Sequence, residues 1–528
     1  MSAVSTPLLF EVDSSAVAVK AVAASATPLT LPAKISALLS VAAIVGTGAA
    51  FASFYATPYA PPTSSCSASI EQVHVHLGAV PSTTLHVAWA SPRDCAGGAP
   101  RVEYGASAAA LAFSAPAAAV FYSTCNATEN ARRGGACNAT TATGIAPYDS
   151  PLLLDAPIDA ASAGVGPGGA VYYRVGDDSC GFSCVYATAT APAPGFAGAP
   201  TRLAVVGDVG ATNFSAATLA GVLASHAVDP FSAALLVGDL SYANGNQPIW
   251  DAFGRVTQFL ATTVPVMSLP GNHEWFDDQN YAFVAYYNRF GRSLPIVSPP
   301  TDTSGLYYSF DAGLIHVVML AGYCQEQSSA YTQPCLAEGT LQRSWLEGDL
   351  ARANANRASV PWVVVSFHQP FANSNSAHPI AKEGVPTQQA IEALLYASKV
   401  DVVLSGHVHA YQRSCKLYNY SCVDDGVLYL TVGDGGTPEG LAPTWVDCPS
   451  WSIYQQASWG HGEMTALNAT HLSWEWHQNE DLTPARADAA MLVKGRQLAD
   501  AGQCREVQPQ LTEAGRKRRE DYLAAQRS

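Results

Sequence analysis

The stretch Gly238-Asp-Leu-Ser-Tyr242 directly follows the apolar run Ala233–Val237, which the sequence predicts to be a buried strand. Asp239 and Tyr242 leave the end of that strand three residues apart. A carboxylate and a phenol are hard oxygen donors that suit a small, highly charged cation. The stretch therefore predicts a pair of metal-binding side chains at the carboxyl end of a strand.

Four further segments are built in the same way, each a short apolar run that ends in a side chain able to bind a metal. These runs and the donors after them are residues 203–207 with Asp208, 264–271 with Asn272, 362–367 with His368, and 400–406 with His407 and His409. In open α/β sheets, ligands bind beyond the carboxyl ends of the strands. Five such strands would bring seven donors to one crevice. Seven donors are too many for one tetrahedral ion but suit two ions that share a bridging carboxylate.

The order of these blocks along the chain is distinctive. They read Gly-Asp-Val-Gly (207–210), Gly-Asp-Leu-Ser-Tyr (238–242), Gly-Asn-His-Glu (271–274), Ser-Phe-His (366–368) and Gly-His-Val-His-Ala-Tyr (406–411). This series resembles the five motif blocks of the purple acid phosphatases, in their plant-type high-molecular-weight form within the metallophosphoesterase superfamily. The tyrosine of the second block separates that family from the wider superfamily. Residues 432–436, 457–462 and 474–479 are similar to the closing segment of the family, so the resemblance covers residues 68–490.

The pattern of the chain predicts two folded domains, in agreement with its 528 residues. Short alternating strands predict a β-sandwich over residues 67–192, and strand–helix alternation predicts a catalytic domain over residues 201–480, with helices at 216–227, 250–262, 341–355 and 387–398. The resemblance implies an all-β, fibronectin-III-like first domain and an α/β second domain, a four-layer αββα metallophosphoesterase sandwich. The remaining segments are a disordered tail (1–33), two linkers (57–66 and 193–200) and a polar C-terminal extension (481–528).

The resemblance also implies a cofactor, a pair of metal ions with Fe(III) as one and zinc or manganese as the other. By that resemblance Asp208, Tyr242 and His409 hold the ferric ion, Asn272, His368 and His407 hold the divalent ion, and Asp239 bridges them. The implied reaction is attack of a metal-bound hydroxide on a phosphate monoester. Because a trivalent ion lowers the pKa of bound water strongly, the activity is expected to persist in acid.

A leaving alkoxide needs a proton, and two histidines are candidates for the general acid. His273 adjoins Asn272, and His378 follows His368 by ten residues. Plant relatives usually have two adjacent histidines where this chain reads Ala377-His378, so the choice between the candidates stays open. The alternatives are a metal-orienting role for His273 and an ordinary loop position for His378. Glu383 is a further candidate to approach the pocket.

Residues 34–56 contain an uncharged stretch long enough to span a bilayer. It fits a type II signal anchor, a signal peptide cleaved after the Ala-Phe-Ala of residues 50–52, or a soluble core helix. The first two place the chain in the secretory pathway, as a single-pass membrane protein or a secreted one. Five glycosylation sequons agree with that, at Asn126, Asn138, Asn213, Asn419 and Asn468. The twelve cysteines suggest local disulfides, with Cys125/Cys137, Cys180/Cys184, Cys324/Cys335 and Cys415/Cys422 as the closely spaced pairs.

The formal charge of −15 disfavours a nucleic-acid backbone binder. The expected partner is a small phosphate ester, and a homodimer is open because some family members dimerise. Two alternative functions remain, a phosphodiesterase or nucleotide pyrophosphatase on the same fold, and a non-catalytic membrane-tethered adhesion protein. Three further interpretations are a solvated strand face for His74 and His76, a turn for Asp434, and packing for His461.

Overall fold

The computed structural model describes residues 66–124, 148–275, 283–295, 306–323, 334–378, 383–446, 448–480, 483–499 and 505–506. The predicted tail, the signal anchor or signal peptide of residues 34–56, and the sequons at Asn126 and Asn138 lie outside these residues. Within the described ranges, no helix is both long and apolar enough to cross a membrane.

The first part of the chain is built from strands. They are β1 (Glu71–Leu77), β2 (Thr84–Ser91), β3 (Arg101–Gly105), β4 (Phe113–Pro116), β5 (Ala118–Val120), β6 (Ser123–Thr124), β7 (Tyr148–Asp149), β8 (Leu152–Asp159), β9 (Ala170–Asp177), β10 (Gly181–Phe182) and β11 (Tyr186–Ala189). One sheet has the order β1-β2-β8-β5, a second has the order β10-β9-β3-β4 with β11 paired to β9, and β6 pairs with β7. Alternating apolar residues such as Val73, Val75, Leu85 and Val87 are buried in the core between strands, as the period of two predicts.

The second part contains the remaining strands. They are β12 (Thr201–Val206), β13 (Ala233–Val237), β14 (Val266–Leu269), β15 (Tyr308–Ala312), β16 (Ile315–Met319), β17 (Trp362–Ser366), β18 (Val402–Ser405), β19 (Tyr411–Tyr418), β20 (Ser421–Cys422), β21 (Val427–Val432), β22 (Ser452–Gln456), β23 (Gly460–Ala466), β24 (His471–Glu480), β25 (Thr483–Val493) and β26 (Arg505–Glu506). A six-stranded sheet has the order β14-β13-β12-β23-β24-β25. A nine-stranded sheet has the order β15-β16-β17-β18-β21-β19-β22-β26, with β20 paired to β19.

The helices of this second part are α1 (Asn213–Val228), α2 (Pro248–Ala261), α3 (Asn272–Trp275), α4 (Val284–Tyr286), α5 (Leu341–Ala355) and α6 (Gly384–Ala397). The four long ones confirm the four helices predicted from the sequence. Thr212 caps α1 by accepting hydrogen bonds from the backbone amides of Phe214 and Ser215, which satisfies two of the unpaired donors of the first turn.

The five predicted strand ends meet where the two sheets face each other. β12, β13 and β14 are parallel neighbours in the six-stranded sheet, and β17 and β18 are parallel neighbours in the nine-stranded one. The backbone amide of Gly207, after β12, donates to the carbonyl of Val432 at the end of β21, 2.9 Å away. The two sheets are therefore joined at the edge where the motif residues emerge.

One disulfide prediction about the first part is wrong. The pair Cys180/Cys184 does not form, because Cys180 bonds to Cys95 and Cys184 bonds to Cys66. The predicted pair Cys415–Cys422 is confirmed. Cys335 is disulfide-bonded, whereas its predicted partner Cys324 and the pair Cys125/Cys137 lie outside the described residues.

His74 and His76 do not lie on a solvated face. The Nδ1 atom of His76 is 2.6 Å from the carbonyl oxygen of Val266, and Nε2 of His74 is 3.0 Å from that of Arg289. His76 is fully buried. In the first sheet taken alone, the side of β1 that carries these two histidines would face solvent. The second part of the chain covers that side.

The six-stranded sheet continues beyond residue 480. β25, which falls in the predicted polar extension, pairs with β24 along its length. Asp488 of β25 accepts hydrogen bonds from Arg413 and from the hydroxyl of Tyr411, both in β19. The charge run at 516–521 lies outside the described residues.

Candidate metal centre

The motif residues lie on tight turns that follow their strands. Four of them have left-handed backbone conformations: Asp208 (φ 55°), Asp239 (φ 52°), Tyr242 (φ 59°) and His407 (φ 68°). Such a conformation costs on the order of 1 kcal/mol or more for a residue with a Cβ, and strained residues concentrate at functional sites. The surrounding fold therefore holds these four side chains in position at an energetic cost.

The first group of donors consists of Asp208, Tyr242 and His409. The Tyr242 hydroxyl lies 3.0 Å from Oδ1 of Asp208 and 3.1 Å from Nε2 of His409. His409 Nε2 is also 3.4 Å from Asp208 Oδ1. Asp208 is fully buried and Tyr242 nearly so. One carboxylate, one phenol and one imidazole thus converge on one point.

The second group consists of Asp239, His368, Asn272 and His407. His368 Nε2 is 2.9 Å from Asp239 Oδ2, and His407 Nδ1 is 2.9 Å from Asn272 Oδ1. Ligand atoms of Asp239, His368 and His407 all lie within 4.8 Å of one another. The groups adjoin, because His368 Nε2 is 4.0 Å from Asp208 Oδ1. The structure therefore brings together all seven predicted donors.

The imidazole rings are oriented so that one nitrogen of each faces the cluster. His368 donates from Nδ1 to the carbonyl of Val237, 2.8 Å away, and His409 donates from Nδ1 to the carbonyl of Gly440, 3.0 Å away. The buried Nε2 of His368 faces the cluster, where Oδ2 of Asp239 lies 2.9 Å away. Metal-binding histidines are usually oriented by donation from their other nitrogen, so this arrangement fits metal ligands.

The charges of the cluster also call for a cation. Among the residues that the structure describes, neither Asp208 nor Asp239 is paired with a lysine or an arginine. Burial and then the two carboxylates raise the pKa of the Tyr242 phenol well above its usual value. Burial opposes ionisation of Asp239, but His368 and His273 hold its pKa below the usual range. Two buried carboxylates next to a phenol suit one or two metal ions.

Glu274 is a buried residue to which the sequence analysis gave no role. Its carboxylate accepts hydrogen bonds from the backbone amides of Asp239 and Leu240, each at 2.9 Å, and of Gly271 at 2.8 Å. Burial, followed by the charge of Asp239, raises the pKa of Glu274 to about 8. Glu274 therefore joins the second and third motif turns. Its position next to Asn272 and His273 was the signal that could have identified it.

Gly271 is required by the close approach of these two turns. A Cβ atom at this position would lie 2.1 Å from Oδ1 of Asp239 and 2.6 Å from the Asp239 backbone nitrogen. No side chain fits at that distance without moving the turn. The glycine therefore allows Asn272 and Asp239 to face the same point.

His273, the first candidate acid, lies at the edge of the cluster with 12% of its side chain exposed. Its ring packs against the ring of Tyr242 with centroids 4.2 Å apart. Nδ1 contacts the amide oxygen of Asn244, and Nε2 lies 3.8 Å from Asp239 Oδ2 and 3.6 Å from Glu439 Oε1. Both Asn244 and Glu439 were missed by the sequence analysis. Glu439, which is 47% exposed, places a carboxylate at the mouth of the site.

His378, the second candidate, lies on the other side of the cluster with 28% of its side chain exposed. Its ring is 3.9 Å from that of His407, centroid to centroid. Glu383 lies between the two: Oε2 is 2.7 Å from Nε2 of His407 and 3.2 Å from Nδ1 of His378. Burial opposes ionisation of Glu383, yet hydrogen bonds from both histidines lower its pKa to about 2. The prediction that Glu383 approaches the pocket is confirmed.

Asp434 is not a simple turn residue. It is fully buried, its Oδ2 accepts a hydrogen bond from the indole of Trp476 at 2.8 Å, and burial raises its pKa to about 8. The charge of Asp208 adds to that rise, so Asp434 lies behind the first group. The Gly-Asp-Gly-Gly context conceals this role, because such a sequence is typical of turns.

Two family models match the chain. The calcineurin-like phosphoesterase model matches residues 201–411, and the model described as iron/zinc purple acid phosphatase-like protein C matches residues 426–484. All seven donors lie in the first matched region, and the second contains Asp434, Glu439 and Gly440, which adjoin the cluster.

Curated relatives and a solved structure agree with these models. A probable purple acid phosphatase of Arabidopsis thaliana, number 20, is 39% identical over 56% of this chain and 65% of its own length. Purple acid phosphatase 22 of the same plant is 39% identical over 61% of this chain and 68% of its own length. The match thus spans about two thirds of these relatives. A purple acid phosphatase from yellow lupin (Lupinus luteus) seeds has the same fold, with a TM-score of 0.65 and 21% identity over 80% of this chain and 74% of that one.

Proposed function

The chain belongs to the purple acid phosphatase family of metallophosphoesterases, and we propose that it is an acid phosphatase that hydrolyses phosphate monoesters. The observation that carries the proposal is the convergence of seven donors from five strand ends into one buried cluster. An adhesion module has no need for such a set of donors.

The proposed cofactor is Fe(III) with one divalent ion, zinc or manganese. Asp208, Tyr242 and His409 would hold the ferric ion, since the only phenol among the donors belongs to this group. Asn272, His368 and His407 would hold the divalent ion, and Asp239 would bridge the two ions. When bound, the pair supplies Lewis-acid polarisation of the phosphoryl group and an acidified water.

The residues around the donors position them and move a proton. Glu383 accepts from His407 Nε2, which leaves Nδ1 of His407 facing Asn272 and the proposed divalent ion. His378 donates from Nδ1 to Glu383, so its Nε2 is free to protonate a leaving alkoxide. His273 faces the cluster from the opposite side, with Nδ1 engaged by Asn244. The two histidines are thus the proposed alternatives for the general acid.

Metal analysis together with visible absorption tests the proposal on the purified full chain. We expect two metal ions at the cluster and a phenolate-to-iron absorption band that disappears in Tyr242→Phe. Tyr396→Phe, a change in α6 that removes a half-buried phenol hydroxyl bound to Asp425, should keep both the band and the activity. A band that persists in Tyr242→Phe would refute the ferric assignment.

Relative hydrolysis rates test the substrate class. We expect p-nitrophenyl phosphate to be hydrolysed much faster than its bis ester, and Asp239→Asn to abolish hydrolysis. Faster hydrolysis of the bis ester would instead identify a phosphodiesterase.

The proposed location is the secretory pathway. The disulfides Cys66–Cys184, Cys95–Cys180 and Cys415–Cys422 favour an oxidising compartment. Within the described part of the chain, the sequons at Asn213, Asn419 and Asn468 are exposed. Loss of mass on treatment with a glycosidase tests this location, membrane fractionation separates an anchored from a secreted form, and gel filtration tests for a homodimer.

A further inference from the structure

Four metal-capable side chains lie together on β23 and β24, away from the proposed catalytic cluster. The strands are antiparallel, and the register places His461 opposite His477 and Glu463 opposite Glu475. Because alternate residues of a strand share a face, these four side chains form a two-by-two patch on one side of the sheet. Trp476 points to the opposite side, where it reaches Asp434 behind the cluster. The sheet itself therefore separates the patch, here called the His461 patch, from the catalytic cluster.

Within the His461 patch, ligand atoms of Glu463, Glu475 and His477 all lie within 4.8 Å of one another, and His461 adjoins this group through Glu463. His461 Nε2 lies 3.4 Å from Glu463 Oε1, His477 Nε2 lies 3.6 Å from the same oxygen, and His477 Nε2 lies 3.5 Å from Glu475 Oε2. The two distances to His477 exceed the ~2.7–3.2 Å of ordinary hydrogen bonds. With metal–ligand bonds of about 2.0–2.2 Å, tetrahedral geometry places neighbouring ligand atoms about 3.3–3.6 Å apart.

Two arginines hold the carboxylates in the orientation that a metal site needs. Arg202 donates to Oε2 of Glu463 at 2.6 Å, and Arg486 donates to Oε1 of Glu475 at 2.9 Å. Each glutamate therefore uses one oxygen for an arginine and turns the other toward the histidines. Supporting hydrogen bonds of this kind are typical of metal-binding carboxylates.

His477 presents the nitrogen atom that a metal would bind. His461 has 1% of its side chain exposed, and His477 has 19%. The Nε2 atom of His477 is itself buried and has no hydrogen-bond partner among the described residues. Burial, followed by the neighbouring His461, lowers the pKa of His477, which favours the neutral imidazole that a metal requires.

We propose that Glu463, Glu475 and His477 bind a divalent transition-metal ion, with zinc as the best match for one imidazole and two carboxylates. Three protein ligands leave the fourth tetrahedral position to a water molecule. The ion would fasten β23 to β24 on the side of the sheet that α1 covers. His461, predicted from the sequence to serve packing, contacts Oε1 of Glu463 and so helps to orient this ligand.

Metal stoichiometry of the full chain is the first test. Glu475→Gln and His477→Gln should each bind one zinc ion fewer per chain than the wild type, and both should keep its rate on p-nitrophenyl phosphate. His471→Gln is the matched control, because His471 lies on the same strand outside the patch, and it should bind as much zinc as the wild type. Equal zinc content in all four proteins would overturn the proposal. It would indicate that hydrogen bonds and ion pairs hold the patch together without a metal ion.

A thermal-shift measurement in an Asp239→Asn background separates this site from the catalytic one. Zinc added to the metal-stripped Asp239→Asn chain should raise its melting temperature, and the double variant Asp239→Asn/His477→Gln should lose most of that rise. An equal rise in both would refute the site even if the patch variants fold poorly. Absence of phosphatase activity in a wild type that binds this zinc would overturn only the proposed function.

Discussion

Replacement of His316 by glutamine should remove a pH-dependent part of the stability of the protein. His316 lies in β16, where Nδ1 is 2.7 Å from Oδ1 of Asp311 in β15 and Nε2 is 3.0 Å from Oδ2 of Asp349 in α5. The side chain is 11% exposed. Burial lowers the pKa of His316, but the two carboxylates outweigh burial and raise it to about 9, from an ordinary value of 6.5. Protonated His316 therefore joins a strand pair to a helix.

The size and sign of the effect follow from proton linkage. A difference between 6.5 and about 9 corresponds to about 3 kcal/mol, at roughly 1.4 kcal/mol for each pH unit. Because the folded pKa is the higher one, this stabilisation is fully present below about pH 6.5 and is lost as the pH rises through about 9. The lowered pKa of Asp349 arises from the same ion pair, so it is not added to this free energy a second time.

The assay is the free energy of unfolding in urea, measured for the wild type and His316→Gln at about pH 5.5 and at about pH 10. The variant should be less stable by about 3 kcal/mol at the lower pH, and most of that gap should close at the higher pH. His471→Gln, a change at a half-buried histidine outside this ion-pair network, serves as the control. A gap of the same size at both pH values would refute the assignment of the raised pKa to His316.

Three further outcomes are expected at the proposed centre. Gly271→Ala should lower bound metal and activity together, because its Cβ would lie 2.1 Å from Asp239 Oδ1; metal analysis that finds full occupancy would contradict this. Glu383→Gln should lower kcat by about 10–100-fold with little change in KM, because it removes the carboxylate that orients His378 and His407; steady-state kinetics measure this split. Chelation should abolish hydrolysis, and added iron with zinc or manganese should restore it; activity in the stripped chain would count against a metal-dependent reaction.

The arrangement of the candidate site followed closely from sequence, because its signals are local. Each donor comes directly after a short apolar run, and a run of that kind is a buried strand whatever surrounds it. The run before Asp239 was predicted at the bounds the structure has, Ala233–Val237, and the helix Leu341–Ala355 likewise. Parallel strands end at a common edge, so the order of the blocks was enough to predict that His368 and His407 would meet Asp239.

The positioning residues did not follow from sequence, because their contacts join segments that are far apart in the chain. Glu274 acquires its role only when three backbone amides from two turns point at it. Asp434 resembles a turn residue until Trp476, 42 positions later, donates to its carboxylate. Nothing local in either stretch indicates such a partner.

The sequence alone determined the type and order of the elements and the chemistry of the donors, since strand and helix periods and metal-binding residue types are properties of short segments. Only the tertiary structure decided which faces are covered and which distant residues pair. His76 alternates like a solvated residue yet is buried, because Val266 packs over its strand. Cys180 bonds to Cys95, 85 positions away, rather than to nearby Cys184. Burial and pairing of this kind depend on the docking of whole sheets, a free-energy balance that no short stretch of sequence contains.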